Sequence, residues 1–438
     1  MGCPLEFFLY FDTHKRVTII ILLFRHTKLM KKNTADQSFV REANLSSVLR
    51  LIHAQAPISR AQLATITGLN KSTISSLVEE LLTQNLIHET GSNSGAAGRP
   101  ATWLEINPQA GMVIGVELGV DFVSVAVTGL EGNILWRRKE DADPAKGQNK
   151  MLDQTLQIVK EAMSVNKKKN TPFLGLGLAT PGTVNPDKGL LIFAPNLHWR
   201  NVPFQKIFHE QTKLNIFIEN DANAAAVAEY LFGTARQNQN FIFVFAGVGI
   251  GGGLFLNGRL YRGKNGYAGE IGHFPIMAEP SSQTVCHCGN RGCWETYANQ
   301  YSIIQRIQAR LEVKRSSIIP KLMADQNSPL SIPLIKQAAD VGDKEAIDSF
   351  LEAGRAMGQG FAGLINIFNP EKIILGGPLS IAGDYLLPAI KETITRHSMP
   401  EIDQQTEVVL STFGPDASLI GATAIVVDKV LSKPMHKV

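Results

Sequence analysis

Three of the four cysteines in the chain lie close together, with a histidine a short distance before them. Cys286, Cys288 and Cys293 have the spacing C-x-C-x4-C, and His273 precedes the first of them by thirteen residues. Three thiolates and one imidazole form a closed tetrahedral donor set that suits a structural zinc ion. The alternatives are unrelated buried cysteines or disulfide bonds, although three cysteines cannot all pair with one another. The spacing therefore predicts one Zn²⁺ per chain.

Two glutamates flank this candidate metal set. Glu270 stands three residues before His273, and Glu295 stands two residues after Cys293. A metal ion that orders the histidine and the cysteine loop would also order these carboxylates. Carboxylates held beside an imidazole are good hydrogen-bond acceptors for sugar hydroxyls. The pair therefore predicts a carbohydrate site, and the alternative is two ordinary surface glutamates.

The same stretch resembles the zinc and sugar motif of the ROK family, which comprises sugar kinases and sugar-responsive repressors. The resemblance is carried by two runs, Gly-Glu-Ile-Gly-His at 269–273 and Cys-His-Cys-Gly-Asn-Arg-Gly-Cys-Trp-Glu at 286–295. It implies a sugar site between two lobes of the actin and sugar-kinase type. The remaining segments decide between a repressor and a kinase.

The segment before residue 108 carries the signals of three short helices. Asn44 is expected to cap the first helix, and Ser59 opens the second with a capping box. Ile66 is expected on the buried side of the second helix, which Gly68 ends. Asn70 then caps a third helix with a small polar face at its start. This order of helices predicts a helix-turn-helix.

Small hydroxyl side chains and one lysine would let the third helix enter a major groove closely. Two short strands follow at 86–90 and 101–106, which completes a winged helix. The loop between them carries Arg99, which can enter a narrow A/T-rich minor groove, unless the loop is a plain linker. The residues predicted to contact DNA are Lys71, Ser72, Thr73, Ser75, Ser76 and Arg99.

The charges of this segment leave another interpretation open. Between Arg41 and Glu105 the chain has five basic and five acidic residues, so the domain has no overall basic field. A helical protein-interaction module is therefore the alternative for the whole segment. The segment also resembles the winged helix of ROK repressors.

The rest of the chain predicts two related lobes. A strand–strand–strand–helix–strand order occurs first at 112–118, 122–128, 134–139, 151–165 and 173–178. A similar order recurs at 241–246, 252–256 and 372–375. The predicted fold class is α/β, with a winged helix-turn-helix in residues 41–108 and a two-lobed, ribonuclease H-like sugar-kinase domain in residues 109–438.

The resemblance implies a complete sugar pocket in this two-lobed domain. Asp221 matches the aspartate that takes the proton from the sugar hydroxyl in ROK kinases, although it could also serve as a helix N-cap. The residues that the resemblance places around the sugar are Gly182, Asn196, Asn220, Asp221, Glu270, His273 and Glu295.

The nucleotide-binding motifs depart from the kinase pattern. ROK kinases carry D-x-G-x-T in the first lobe, where this chain has Glu117 and Asp121 in place of the aspartate and the threonine. A second carboxylate would repel phosphate oxygens. Val248 replaces a threonine in the second phosphate loop, which removes a hydroxyl donor. We therefore expect no catalytic residue and no useful sugar phosphorylation.

Together these features predict a sugar-responsive repressor, most similar within the family to xylose repressors. It would bind operator DNA as a homodimer or higher homo-oligomer and be released by a monosaccharide. Asp221 is the kinase-type residue at its position, so xylose, glucose or another sugar remains open as the effector. The alternatives are a sugar kinase with a fused DNA-binding domain and a regulator held by a transporter subunit.

The composition is that of an ordinary globular protein, with 44% hydrophobic and 19% charged residues. The net charge of +4 is too small to indicate nucleic acid by itself. No apolar run reaches the length of a bilayer span, so a cytoplasmic location is expected. Residues 17–24 are apolar but no cleavage site follows. Residues 1–40 are therefore read as a tail, with translation expected to start at Met30.

Overall fold

The computed structural model describes residues 35–92, 102–165, 171–276, 285–313, 316–399, 401 and 405–434. Its helices are α1 (Ala35–Gln55), α2 (Arg60–Thr67), α3 (Lys71–Thr83), α4 (Gln148–Ser164), α5 (Phe204–Thr212), α6 (Asp221–Leu231), α7 (Glu295–Ala298), α8 (Gln300–Val313), α9 (Ile319–Gln326), α10 (Ile332–Asp340), α11 (Lys344–Phe368), α12 (Gly383–His397) and α13 (Ala417–Ser432). Among the helices in these ranges, none is both long and apolar enough to cross a membrane.

The strands are β1 (Ile58–Ser59), β2 (Ile87–Ser92), β3 (Thr102–Ile106), β4 (Met112–Leu118), β5 (Phe122–Thr128), β6 (Ile134–Asp141), β7 (Phe173–Thr180), β8 (Thr183–Asn185), β9 (Leu190–Ala194), β10 (Trp199–Val202), β11 (Ile216–Asn220), β12 (Phe241–Ala246), β13 (Ile250–Leu256), β14 (Arg259–Leu260), β15 (Lys372–Gly376) and β16 (Glu407–Leu410).

The elements from α1 to β3 form a winged helix, as predicted. Strand β3 pairs antiparallel with both β1 and β2, which gives a three-stranded sheet. Ser59 caps α2 in a capping box with Gln62, and Gly68 ends that helix at φ 70°, a conformation that glycine adopts without strain. Asn70 caps α3 by accepting a hydrogen bond from the Thr73 backbone N–H.

Two local predictions in this winged helix are wrong. Asn44 does not cap α1, because the helix already begins at Ala35 and the residues between them include no glycine or proline to stop it. Ile66 is 50% exposed, whereas Leu63 is fully buried. Because α2 has only eight residues, it buries a narrow stripe around Leu63 and leaves Ile66 outside it.

Two five-stranded sheets confirm the predicted two-lobed fold class. The first has the strand order β11-β7-β4-β5-β6, and the second has the order β14-β13-β12-β15-β16. In each sheet the central strand pairs antiparallel with the strand that follows it in sequence and parallel with the fourth strand of its lobe. The two lobes therefore share one topology. A small sheet, β10-β9-β8, is inserted in the first lobe.

The helices α6 and α13 cross between the lobes. Helix α6 follows a strand of the first sheet but packs on β12 and β13 of the second, and α13 follows the second sheet but packs on β4 and β7 of the first. Small residues allow this close packing: a Cβ at Gly177 would lie 1.8 Å from the Ala422 carbonyl oxygen, and one at Gly421 would lie 2.3 Å from the Ala224 carbonyl carbon. A larger side chain at either glycine would push these layers apart.

Candidate functional site

The predicted site residues lie on segments from both lobes. In the first lobe, Gly182 follows β7, and Asn220 ends β11 directly before α6. In the second lobe, Glu270 and His273 lie at a short 3-10 helix after β14, and Glu295 begins α7. Between the lobes, Gly182, Asn220 and Glu270 line one small cavity. The structure therefore brings these three residues together.

The candidate metal ligands form one compact cluster. The ligand atoms of His273, Cys286, Cys288 and Cys293 all lie within 4.8 Å of one another. The Sγ atoms of Cys288 and Cys293 are 3.6 Å apart, and Cys286 Sγ is 3.5 Å from His273 Nδ1. A tetrahedral ion with Zn–S bonds of about 2.3 Å places its sulfurs about 3.8 Å apart. These four side chains therefore have the spacing to bind a metal ion, with Nδ1 as the imidazole donor.

The two predicted glutamates differ in their surroundings. Glu270 Oε2 lies 3.7 Å from His273 Nε2, the ring nitrogen that faces away from the cysteines, and its side chain is 51% exposed. Glu295 is only 14% exposed. Its Oε1 accepts a hydrogen bond from Cys286 Sγ at 2.9 Å, and its Oε2 accepts one from the Ile250 backbone N–H at 3.4 Å. Glu295 thus contacts both the cysteine loop and the backbone at the start of β13, while Glu270 faces the cleft.

The Asn220 side chain holds the entrance to α6. Its Oδ1 accepts hydrogen bonds from the backbone N–H groups of Ala222 and Asn223, and its Nδ2 donates to the Gly182 carbonyl at 3.1 Å. The helix N-cap is therefore Asn220, and the alternative of Asp221 as the cap is wrong. Asn220 takes that role because β11 delivers it to the cap position in an extended conformation, with φ −62° and ψ 147°.

Burial and neighbouring negative charge raise the pKa values of the carboxyl groups in the cleft. Burial raises the pKa of Asp221 to about 7, and the nearby charge of Glu270 adds to the effect. Burial, followed by the charge of Asp221, raises the pKa of Glu117 to about 8. The pKa of Glu270 is also raised, mainly because its partly exposed carboxyl group loses hydration in the cleft, while His273 opposes the shift. Asp221 is therefore close to half-ionised at neutral pH.

Asn196 takes a different place from the other predicted sugar residues. Its Oδ1 lies 3.0 Å from Nδ1 of His287, which stands between two of the cysteines. It therefore joins the small inserted sheet of the first lobe to the cysteine loop of the second.

The cavity between the lobes has a volume of about 30 Å³, so it is much smaller than a sugar ring.

Sequence reasoning missed an ion pair that joins a buried carboxylate to a partly exposed guanidinium. Glu219 is 2% exposed, and its Oε2 accepts two hydrogen bonds from Arg262, at 2.9 Å from Nε and 2.6 Å from Nη2. Its Oε1 accepts from the Asn220 backbone N–H and from the Asn223 side chain. The position of Glu219 directly before Asn220 and Asp221 was the available signal, but its partner is distant in sequence.

The altered phosphate loops are also filled by protein groups. Glu117 is buried at the end of β4, and a Cβ at Gly119 would lie 2.4 Å from Phe122 Cε1, because that ring folds over the turn. In the second loop, the Val248 carbonyl accepts a hydrogen bond from Asn299 Nδ2 at 2.9 Å. Both loops thus make contacts within the protein.

The predicted DNA-contacting face of α3 is largely open. Lys71, Ser72, Ser75 and Ser76 are exposed, and Thr73 is half-buried. The Ser75 hydroxyl donates to the Lys71 carbonyl at 2.9 Å, so it lies along the helix rather than projecting from it. Arg99 lies outside the described residues.

Comparison with known proteins places this geometry in context. The sequence profile of the ROK family matches residues 113–429. The chain is 32% identical over 403 residues to the xylose repressor of Bacillus spizizenii. The aligned region covers 91% of this chain and 98% of that protein.

Two solved structures are similar over long ranges. One is a ROK family transcriptional regulator described as a homolog of the E. coli MLC protein, with a TM-score of 0.75, 30% identity and coverage of 90% of this chain and 97% of that chain. The other is a ROK family glucokinase from Streptomyces griseus in complex with glucose and AMPPNP, with a TM-score of 0.65, 30% identity and coverage of 72% and 99%. Because the regulator covers 90% of this chain, its similarity extends beyond residues 109–438, whereas the glucokinase covers 72%.

Proposed function

The chain belongs to the ROK family and is a sugar-responsive transcriptional repressor, and from this premise we propose that xylose or a related monosaccharide, bound between its lobes, releases it from operator DNA. The DNA contacts are proposed for Lys71, Ser72, Thr73, Ser75, Ser76 and Arg99. The sugar contacts are proposed for Gly182, Asn196, Asn220, Asp221, Glu270, His273 and Glu295. A homodimer would supply two recognition helices, because one short helix reads few base pairs.

One observation carries this proposal: helix α13 links the cleft to the winged helix. Near its start, the Ser418 hydroxyl donates to the Asp221 carbonyl at 3.2 Å, and the preceding Asp416 is paired with Arg137 at 2.5 and 2.6 Å. With 16 residues, the helix is about 24 Å long. A change in the position of the lobes at Asp221 would therefore move the far end of α13.

At that far end, α13 contacts α1 of the winged helix. The Ser46 hydroxyl donates to the Leu431 carbonyl at 2.8 Å, and Arg50 pairs with Asp428 at 2.8 Å. His53 also lies on α1. Burial lowers the pKa of its imidazole to about 4, so the ring is neutral at pH 7. Its Nε2 lies 3.1 Å from the Leu130 carbonyl. These contacts support a route from sugar to DNA through α13, in addition to the linker around residues 91–108.

The function is tested directly by DNA release. Operator sequences would be selected from random duplexes with the full chain, and binding would then be followed by fluorescence anisotropy. We expect D-xylose or D-glucose to raise the dissociation constant for DNA, and DNA to weaken sugar binding by the same factor. Sequence-independent DNA binding that no sugar changes would contradict the proposal.

Reversing one charge between α1 and α13 should weaken this coupling. Arg50→Glu would place two carboxylates together, so sugar should still bind but should release DNA about two- to tenfold less effectively, since the pair is partly exposed. The double variant Arg50→Glu with Asp428→Arg restores opposite charges and should recover the response. An Arg50→Glu chain with the wild-type coupling factor would show that this contact does not transmit the signal.

Sugar affinity should depend on pH. The Asp221 carboxylate is the better acceptor for a sugar hydroxyl, and with a pKa of about 7 it becomes ionised as the pH rises. Affinity should therefore increase about tenfold between roughly pH 6 and pH 8 and then level off. Calorimetric titration at several pH values measures this. The same affinity at all pH values would mean that Asp221 does not accept a hydrogen bond from the sugar.

We do not expect sugar phosphorylation. Asp121 places a carboxylate where the kinases have threonine and would repel phosphate oxygens, and Val248 offers no hydroxyl. A coupled ATPase assay with glucose or xylose should therefore give turnover far below the roughly one per second of ordinary kinases. Similarity to the glucokinase makes the assay necessary. Turnover in the kinase range would favour a sugar kinase with a fused DNA-binding domain.

A zinc ion would complete the site. The donor set of three thiolates and one imidazole suits Zn²⁺ and leaves no open position for a water molecule. When bound, the ion would order the loop and leave proton transfer to other groups. In this assignment His273 binds the metal through Nδ1 and presents Nε2 to Glu270 and the sugar.

A further inference from the structure

The small cavity between the lobes ends at an asparagine of α6 that the sugar motif does not include. The cavity of about 30 Å³ is lined by Gly182, Asn220, Asn223, Gly252 and Glu270, among others. Asn223 is 3% exposed, so it lies at the deep end of this space. It stands three residues after Asn220, which places the two asparagines on the same side of the helix.

The amide of Asn223 has a fixed orientation. Its Nδ2 donates to Glu219 Oε1 at 3.2 Å, and the other oxygen of Glu219 is paired with Arg262. Because an ionised carboxylate accepts but does not donate, the amide nitrogen must face Glu219, and the carbonyl oxygen must point away. That Oδ1 atom is buried and has no hydrogen-bond partner among the described residues.

Asn220 offers no such free acceptor. Its Oδ1 accepts two backbone N–H groups, and its Nδ2 donates to Gly182. Its hydrogen bond to the Asn223 backbone N–H also fixes the start of the helix that carries Asn223. Of the two asparagines, Asn223 is therefore the one that has an unused amide oxygen, and the same residue lines the cavity. A buried acceptor is costly unless a donor reaches it.

We propose that Asn223 is a specificity-determining residue whose Oδ1 accepts a hydrogen bond from one hydroxyl group of the bound monosaccharide. This inference rests on the proposed function. The cavity of about 30 Å³ has room for a group the size of a water molecule, and a sugar hydroxyl has that size. The effector class is thus an aldose with a free hydroxyl at the position that enters the cavity.

The test compares wild-type protein with Asn223→Ala by calorimetric titration. The ligands are D-xylose, D-glucose and their monodeoxy analogues, each of which lacks one hydroxyl group. For wild type, one analogue should bind about tenfold more weakly than its parent sugar because it leaves Oδ1 unpaired. In Asn223→Ala the parent sugar should weaken to that level, and the difference between parent and that analogue should disappear. The deficits of the other analogues should remain.

A merely structural role would give a different pattern. Equal weakening of the parent sugar and of every analogue in Asn223→Ala would overturn the inference. Asn223→Ser provides a second variant, whose shorter side chain should also lose the discrimination. The control is Asn215→Ala, which removes an exposed amide directly before β11. This variant should bind all ligands as wild type does. A thermal unfolding transition equal to that of wild type, together with unchanged operator binding, shows that each variant is folded.

The outcome also separates this inference from the function on which it rests. A wild-type chain that neither sugar releases from DNA contradicts the proposed effector, and the inference fails with it. A wild-type chain that responds to sugar, but whose discrimination among analogues survives in both Asn223 variants, contradicts only the role of Asn223.

Discussion

Replacement of Asp221 by asparagine should strongly weaken induction while operator binding stays intact. The change keeps the size of the side chain, and Asn220 still caps α6, so the fold of the helix entrance is retained. It removes the charge that would accept the sugar hydroxyl. A hydrogen bond to a charged group contributes about 1.5–3 kcal/mol, so the sugar concentration needed for release should rise roughly 10- to 150-fold.

The matched control is Asp121→Asn, which makes the same chemical change at an exposed turn of the first lobe. Its sugar response should equal that of wild type. Release of DNA would be measured by anisotropy as sugar is added, with both variants on the same operator. If Asp221→Asn releases DNA at the wild-type sugar concentration, the sugar is bound elsewhere. The variant should also lose the dependence of sugar affinity on pH.

Loss of one metal ligand should have an effect of similar size. Cys288→Ser should lower the zinc content from about one ion per chain to well below it, because a serine hydroxyl is a poor replacement for a thiolate. The loop that carries Glu295 and faces His273 would then lose its order, and the sugar response should disappear with the metal. Operator binding should persist, since none of the four metal ligands lies in the winged helix.

The control for this variant is His287→Ala, an imidazole in the same loop that is not part of the metal cluster. It should retain the zinc content of wild type, as measured by elemental analysis of the purified folded chain. Wild-type protein with far less than one zinc per chain would refute the assignment of the metal. Retention of both zinc and sugar response in Cys288→Ser would remove that cysteine from the ligand set.

Structural features formed by residues close together in the chain could be predicted from the sequence. The capping box at Ser59, the glycine end of α2 at Gly68 and the cap at Asn70 each follow from a side chain and a backbone group a few residues apart. The metal cluster belongs to the same class, because two of its cysteines are separated by one residue and a short loop closes the set. The family motif supplied the glutamates on either side.

The tertiary structure decided the features that join distant segments. Glu295 and Asn196 are both proposed sugar contacts, and the structure adds contacts that no local pattern predicts. Glu295 accepts a hydrogen bond from Cys286, and Asn196 contacts His287. Burial, which no local sequence pattern predicts, raises the pKa of Asp221. The charge of Glu270, which lies in the other lobe, raises it further.

The contact between α1 and α13 shows the physical reason most clearly. Ser46 and Leu431 are separated by 385 positions, and neither residue carries a sequence signal that names its partner. Local hydrogen bonds depend on spacing along the chain, so a sequence displays them directly. Contacts between lobes depend on how whole layers pack, as α6 and α13 do against each other and against the sheets of both lobes.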